Sequence, residues 1–352
     1  MADVITHFEI TFDCGESCYK EGDTITGEVV VDLKEDMGVA VLTIEFSGKA
    51  SVRLAGNSLL FRRTSTPQHV DDEHYMNQCL CLYSRANNGS EQMMVSAGHH
   101  VYPFLVQLPT DLPSTLTAGH GVIEYRAKAI LVRPWQPREV TKKSFSVTSV
   151  VSLATLPGSM QPLHCRKSKQ MGLSCCASGT VSVLWRLDRM GYICGDMVRI
   201  NGEIENNSRI RVSMSYAALV QHIRYFRGNG SSLHERKRIA AIQKGEVLPG
   251  NIGFWREELE VPRTPPTGLK GCRLMDLWYT LNLSVVFAGL AAPLETSTDI
   301  IIATTQDGVG VGDDGDEAVV GTADYHPYIH SPLSCSNPAV DTDIPLEVTY
   351  FT

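Results

Sequence analysis

The chain has 352 residues, of which 43% are hydrophobic and 20% are charged. This composition is close to that of an average globular protein and excludes a wholly disordered chain, a collagen and a coiled coil. The formal net charge of −8 is unevenly distributed, with −5 in residues 1–150, +6 in residues 151–305 and −9 in residues 306–352. Since a basic middle section lies between acidic segments, no nucleic-acid partner is expected.

The targeting features of the chain favour the cytoplasm. No stretch reaches the roughly 18 apolar residues of a membrane-spanning helix. The first ten residues lack the basic and apolar regions of a signal peptide. We therefore expect the 10 cysteines to be reduced thiols in a cytoplasmic protein.

Apolar and polar residues alternate along much of the chain, which is typical of strands with one buried face. In chain order, the clearest runs are Phe8, Ile10 and Phe12; Val29, Val31 and Leu33; Tyr125, Ala127, Ala129 and Leu131; and Val181, Val183, Trp185 and Leu187. Turn residues such as those of Asn87-Asn88-Gly89 separate the runs. Many short strands with regular turns predict an all-β fold built from β-sandwiches.

One unit of sequence occurs twice. Tyr-x-x-Gly-Asp, followed by Gly-Glu, lies at Tyr19, Gly22 and Asp23 in the first half and at Tyr192, Gly195 and Asp196 in the second. Glycine tolerates a positive φ, and aspartate can hydrogen-bond the backbone two residues further on. Each copy is therefore predicted to be a structural turn that its tyrosine anchors. The same order continues with Leu108-Pro109, Pro113 and Tyr125, matched by Val261-Pro262, Pro266 and Tyr279.

The repeat predicts four regions in the chain. A first β-sandwich covers residues 1–151, a connector covers 152–162, and a second β-sandwich covers 163–305. Residues 306–352 are acidic and rich in glycine, with too little apolar bulk to bury, and we expect them to form a flexible tail.

The repeated motifs resemble those of the arrestin family, and within it the α-arrestins, or arrestin domain-containing proteins. The resemblance covers about residues 1–305 and depends on the order of several short motifs across both halves. These motifs are Tyr19-x-x-Gly-Asp-x-Ile-x-Gly, Phe104-x-Val-x-Leu-Pro, Leu131-Val-Arg-Pro-Trp, Phe145-x-Val, Gly191-Tyr-x-Cys-Gly-Asp and Leu259-x-Val-Pro. The resemblance implies two tandem immunoglobulin-like β-sandwiches, the arrestin N and C lobes.

The resemblance also implies a function. Family members are non-enzymatic cytoplasmic adaptors at the plasma membrane and endosomes. They bind membrane receptors or transporters as cargo and link them to endocytic, sorting or ubiquitination machinery. An alternative within this fold is a retromer-like trafficking scaffold without ligase recruitment. An alternative of another class is a tandem immunoglobulin-like extracellular adhesion module, which the expected lack of a signal peptide disfavours.

The segment expected to recruit a ubiquitin ligase departs from the family pattern. Familiar α-arrestins carry Pro-Pro-x-Tyr motifs that bind the WW domains of HECT-type ubiquitin ligases, and this sequence has none. The nearest match is the degenerate tail motif formed by Tyr325, Pro327 and Tyr328, which lacks the paired prolines that a WW groove grips. Recruitment of these ligases through WW domains is therefore in question.

No constellation for catalysis, a cofactor or a metal is evident. The sequence lacks Gly-x-Ser-x-Gly, a phosphate-binding Gly-x-x-x-x-Gly-Lys loop and His-Glu-x-x-His. Its cysteine spacings, such as Cys79-x-Cys81, do not match paired Cys-x-x-Cys zinc ligands. We expect no enzymatic activity, no cofactor and no metal site.

Two basic runs are the candidate contact sites for phosphorylated receptor tails or anionic lipids. They are Arg236, Lys237 and Arg238, which follow a Gly/Ser-rich segment, and Arg166, Lys167 and Lys169. The alternative interpretation is that these cations lie on solvated loops and strand ends and bind no partner.

Overall fold

A computed structural model describes residues 4–13, 18–54, 69–84, 94–172, 179–226 and 230–306. Within these ranges the secondary structure consists of β-strands and turns, with a single 3-10 turn at Leu153–Thr155. Helices of the length and apolarity needed to cross a membrane do not occur in this described part. The expectation of an all-β chain is confirmed.

The first lobe is a sandwich of two sheets. Its strands are β1 (Ile5–Phe12), β2 (Cys18–Lys20), β3 (Thr24–Leu33), β4 (Met37–Gly38), β5 (Val41–Leu54), β6 (His69–Ser84), β7 (Met94–Val95), β8 (Gly98–Gln107), β9 (Leu116–Thr117), β10 (Gly121–Val132) and β11 (Glu139–Thr148). One sheet has the order β1-β3-β8 and the other has the order β2-β11-β10-β5-β6, with β9 paired to β10. The short strands β4 and β7 pair with each other.

The second lobe repeats this two-sheet plan. Its strands are β12 (Leu163–Gln170), β13 (Gly179–Leu187), β14 (Gly191–Ile193), β15 (Met197–Ser208), β16 (Val212–Phe226), β17 (Ser232–Lys244), β18 (Ile252–Glu260), β19 (Met275–Phe287) and β20 (Leu294–Ala303). One sheet has the order β12-β13-β15-β18, and the other has the order β14-β20-β19-β16-β17.

The core of each lobe lies between its two sheets, where the alternating residues of the sequence meet. In the first lobe Phe46 packs edge-on against Phe104 and Phe145, with ring centroids 5.5 and 6.2 Å apart. In the second lobe Trp185 and Trp255 pack at right angles with centroids 5.4 Å apart. Aromatic contacts of this geometry add to the free energy gained by burying the rings.

The duplication predicted from the sequence is confirmed by the topology. In each lobe the short strand that carries the repeated tyrosine pairs in parallel with the last strand of that lobe. Tyr19 lies opposite Val147, and Tyr192 lies opposite Ile302. Parallel pairs are less common than antiparallel ones, so the recurrence of this pair in both lobes identifies one unit used twice.

The two lobes are joined by polar contacts. The Nε atom of Arg273 donates to Oε1 of Glu73 at 2.6 Å, and its backbone N–H donates to Oε2 at 2.8 Å. Glu235 on β17 accepts hydrogen bonds from the Gly119 N–H, at 3.2 Å, and from the Tyr225 hydroxyl. The amino-terminal part of β17 is therefore fixed against the first lobe.

Candidate functional site

The repeated Tyr-x-x-Gly-Asp segments form structural turns in both lobes. Gly22 and Gly195 have φ values of 81° and 91°, in the region that favours glycine. The side chain of Asp23 accepts from the Lys20 N–H at 2.7 Å, and that of Asp196 accepts from the Ile193 N–H at 3.0 Å. The aspartates thus bond the backbone three residues earlier, whereas the sequence interpretation placed the partner two residues later. This difference arises because each carboxylate folds back across its own turn.

The tyrosines of these turns pack inside their lobes. The Tyr192 hydroxyl lies 2.7 Å from the carbonyl oxygen of Arg189 and 2.9 Å from Oδ1 of Asp188. Tyr19 is buried and packs edge-on against Phe12 and Phe145. Neither tyrosine presents a surface that a partner could contact.

The basic run on β12 is divided between two faces of its strand. Arg166 is exposed on the outer face, opposite Leu184. Lys167 donates to the carbonyl oxygen of Glu295 at 2.7 Å, and Lys169 donates to that of Ala292. Glu295 belongs to β20 and Ala292 lies just before it, so these two lysines point toward the other sheet and do not form one patch with Arg166.

The second basic run lies within β17 and belongs to a larger surface. Antiparallel pairing places Arg236 opposite His222, Arg238 opposite Val220, and His234 opposite Arg224. Directly opposed side chains share one face of a sheet. These paired residues therefore meet on the outer side of the second lobe. We call this surface the basic–aromatic face, formed by Tyr216, His222, Arg224, His234, Arg236, Arg238 and Trp278.

Three rings form the centre of this face. His222 stacks on Trp278 with centroids 5.1 Å apart, and His234 stacks on both, at 5.2 Å from His222 and 5.0 Å from Trp278. They come from three neighbouring strands, which explains how a compact stack forms from residues far apart in sequence.

A chain of hydrogen bonds assigns the tautomer of His222. The Thr280 hydroxyl donates to Oδ1 of Asn282 at 2.9 Å, so its oxygen accepts from Nε2 of His222 at 2.8 Å. Nδ1 of His222 lies 3.1 Å from Nε2 of His234 and, when it is unprotonated, accepts a hydrogen bond from it. In a neutral His222, Nε2 therefore carries the proton and Nδ1 is the acceptor.

The electrostatic surroundings agree with a neutral imidazole. Burial lowers the pKa of His222 to about 4, and the nearby His234 and Arg236 act in the same direction. Burial also lowers the pKa of His234, again assisted by Arg236 and then Arg224. The positive charge of the face is therefore carried by its arginines at neutral pH.

Two of these arginines are held by aromatic rings. The guanidinium of Arg224 lies 5.0 Å from the Trp278 ring centroid, and that of Arg238 lies 5.8 Å from the Tyr216 ring centroid. Both distances are within the range of a cation–π contact. Among the residues that the structure describes, Arg224, Arg236 and Arg238 make no salt bridge. The N–H groups of Arg236 and Arg238 are thus available to an anionic partner, whereas Arg224 lies directly opposite Asp276 in the pairing of β16 with β19.

The sequence interpretation identified only part of this face. The basic run predicts Arg236, Lys237 and Arg238, whereas it does not indicate His222, Arg224, His234 and Trp278. The alternation of His222 with Arg224, and of His234 with Arg236 and Arg238, could have indicated shared faces on two strands. Nothing local places Trp278 beside them, because the order of strands in a sheet is set by long-range pairing. Lys237 is exposed and faces the opposite side from Arg236.

The remaining candidate sites are the tail motif and possible metal ligands. The tail motif of Tyr325, Pro327 and Tyr328 lies outside the described residues. Within the six described ranges, no group of three or more His, Cys, Asp or Glu side chains could hold a metal ion.

Comparison with known proteins identifies the two lobes. Residues 8–154 match the family model of the arrestin (or S-antigen) N-terminal domain, and residues 177–306 match that of the C-terminal domain. Neither match is to a catalytic family.

Several curated proteins are similar over most of their length. Human thioredoxin-interacting protein is 29% identical over 288 residues, covering 81% of this chain and 71% of the relative. Arrestin domain-containing protein 17 of Caenorhabditis elegans is 29% identical over 80% of this chain and 67% of its own length. Human arrestin domain-containing protein 4 is 27% identical over 82% and 69%, respectively. The chain therefore belongs to the arrestin family, in the α-arrestin group of arrestin domain-containing proteins.

Proposed function

We propose that this protein is a non-enzymatic adaptor that binds membrane receptors or transporters as cargo. It links them to endocytic, sorting or ubiquitination machinery on the cytoplasmic side of the plasma membrane and of endosomes. The observation that supports this most strongly is the pair of arrestin lobes, which together match residues 8–154 and 177–306.

The proposed mechanism is proximity. An adaptor with two distinct partners raises the effective concentration of one partner near the other, and it needs no reacting group. Two β-sandwiches suit this role because each presents broad outer sheet faces on a rigid core. Polar contacts such as that of Arg273 with Glu73 join the two sandwiches.

The basic–aromatic face is the proposed contact for cargo. Arginine binds phosphate and carboxylate groups with two parallel hydrogen bonds, which gives both affinity and orientation. Arg224 and Arg238 lie against aromatic rings, so less side-chain freedom is lost when they bind. Weak contact of the same cations with anionic membrane lipids is part of this proposal.

Recruitment of HECT-type ubiquitin ligases is proposed to occur without a paired-proline motif, since the sequence contains no Pro-Pro-x-Tyr. The second candidate function is a retromer-like trafficking scaffold that recruits no ligase, and this same observation favours it. The two candidates differ in whether ubiquitination of cargo depends on the protein.

Turnover of surface proteins tests the adaptor function. Surface proteins are biotinylated in cells with and without the protein, and their half-lives are followed by quantitative mass spectrometry. We expect a defined subset of receptors or transporters to be internalised more slowly after depletion and to recover on re-expression. Cargo ubiquitination in the same cells separates the two candidates. Unchanged half-lives across the surface proteome would overturn the proposal.

A further inference from the structure

The outer edge of β17 has features that the basic–aromatic face alone does not explain. β17 ends its sheet, and no described strand pairs with its outer edge. An edge strand presents N–H and C=O groups that can pair with another extended chain. Arg236, Lys237 and Arg238 are all exposed along this strand.

The cations lie on both sides of the edge. Arg236 and Arg238 oppose His222 and Val220 on the outer face, whereas Lys237 opposes Gln221 on the inner face. A flat layer of lipid headgroups would meet the cations of one face. An added strand follows the edge itself, so its alternating side chains would meet cations on both faces.

We propose that the edge of β17 binds an extended peptide, as an added strand, whose anionic side chains lie at alternate positions. Two residues of a strand span about 6.6–6.8 Å, so anionic groups at positions i and i+2 match the spacing of Arg236 and Arg238. The residue between them faces Lys237. The anionic groups are either carboxylates or phosphates, since both accept paired hydrogen bonds from a guanidinium.

A register shift limits the length of the added strand. Leu219 pairs with Ala240 and Val220 with Arg238, so Ile239 is an extra residue that forms a bulge in β17. Bulges interrupt regular pairing. Toward the amino terminus, Glu235 is held by Gly119 of the first lobe. The segment around Arg236, Lys237 and Arg238 is thus the part of the edge where an added strand would pair.

This inference deepens the proposed function, because cytoplasmic segments of cargo would supply such peptides. Its test uses only the purified full chain and synthetic peptides, so its result is independent of any effect on cargo in cells. A positive binding result with unchanged surface turnover would support the peptide site and reject the adaptor role. The reverse result would reject the peptide site alone.

The test measures fluorescence anisotropy of labelled twelve-residue peptides. One series carries glutamates and another carries phosphoserines, each at positions i and i+2 or at i and i+1. We expect the i, i+2 peptides to bind about tenfold more tightly within the series that binds, as paired Arg contacts require matched spacing. Comparing the two series identifies carboxylate or phosphate as the preferred group.

Backbone pairing is tested by N-methylation of the i, i+2 peptide at each position in turn. In an added strand, alternate N–H groups point toward β17, so methylation is expected to abolish binding at every second position only. Arg236→Gln and Arg238→Gln are each expected to weaken binding about tenfold, whereas the exposed control Arg166→Glu leaves it unchanged.

Several results would overturn the proposal. Equal affinity for both spacings, or equal effects of N-methylation at every position, would show simple charge attraction instead of strand addition. Binding to vesicles containing anionic lipids, with no saturable binding of any peptide, would assign the same cations to a membrane. Unaltered peptide affinity in both arginine variants would place the peptide elsewhere.

Discussion

The hydroxyl of Tyr125 donates a hydrogen bond of 2.6 Å to the carbonyl oxygen of Pro113, and both residues are buried in the first lobe. In the second lobe Tyr279 repeats this contact with the carbonyl oxygen of Pro265 at 2.7 Å. Each bond ties a central strand to the proline-containing segment that precedes it. Burial raises the pKa of Tyr279 to about 12, and it also raises that of Tyr125, so both hydroxyls remain protonated donors.

Removing the first of these hydroxyls tests its contribution to stability. Tyr125→Phe leaves the buried Pro113 carbonyl without this partner and is expected to lower the free energy of unfolding by about 1–2 kcal/mol. Denaturant unfolding measures the change. Tyr102→Phe, which alters a half-buried tyrosine elsewhere in the lobe, serves as the comparison. Equal stabilities of the Tyr125 variant and the parent would contradict this account.

The positive φ of Gly195 gives a second prediction. A Cβ added at this position would meet open space, so only the backbone conformation opposes substitution. Gly195→Ala is expected to cost about 1 kcal/mol, because L-residues with a Cβ resist the left-handed region. Gly195→Asn is the matched variant, since asparagine enters this region more readily. Equal melting temperatures of the Gly195→Ala and Gly195→Asn variants would contradict this explanation.

The contact between the lobes predicts a pH dependence. Burial acts to raise the pKa of Glu73, but hydrogen bonds from the Arg273 side chain and backbone outweigh it, so the net pKa is lowered from 4.5. The folded state therefore gains stability above pH 4.5, and this gain is lost as the pH falls through the lowered value.

Glu73→Gln should accordingly lower the free energy of unfolding at pH 7. The free energy of unfolding of this variant should also decrease less steeply below pH 4.5 than that of the parent. Thermal unfolding between about pH 3 and about pH 7 measures both effects. Glu258→Gln, at an exposed pair with Arg199, is the control and should change little. A parallel downward shift at every pH would show that Glu73 stabilises the lobes without its charge.

The sequence predicts the fold of this molecule more fully than it predicts the candidate site. Period-two alternation and the repeated Tyr-x-x-Gly-Asp turns are local features, so both sandwiches follow from them. The stack of His222, His234 and Trp278 depends on β17 and β19 flanking β16, which is a long-range choice. Because successive side chains of a strand point to opposite faces, the sequence predicts that Arg166 and Lys167 lie on different faces of β12. Their charges alone suggest a single basic patch.

Neutrality of His222 gives a fourth prediction. Its pKa of about 4 in the fold lies below the usual 6.5, so the unfolded chain binds a proton first as the pH falls. Stability from this residue is complete above pH 6.5 and is lost progressively toward pH 4. NMR titration, with the signal assigned by His222→Asn, should give a midpoint near 4. A midpoint at or above 6.5 would contradict the lowered pKa and the burial that causes it.

We propose that this arrestin-family protein acts as an adaptor through the basic–aromatic face of its second lobe. The most direct measurement is the internalisation rate of an affected surface protein in depleted cells that re-express one of three forms. The parent chain and the Arg166→Glu control should both restore the rate, whereas a chain with Arg224→Glu, Arg236→Glu and Arg238→Glu should not, at equal expression and thermal stability. Full restoration by the triple variant would show that the basic–aromatic face is not needed for internalisation of this surface protein.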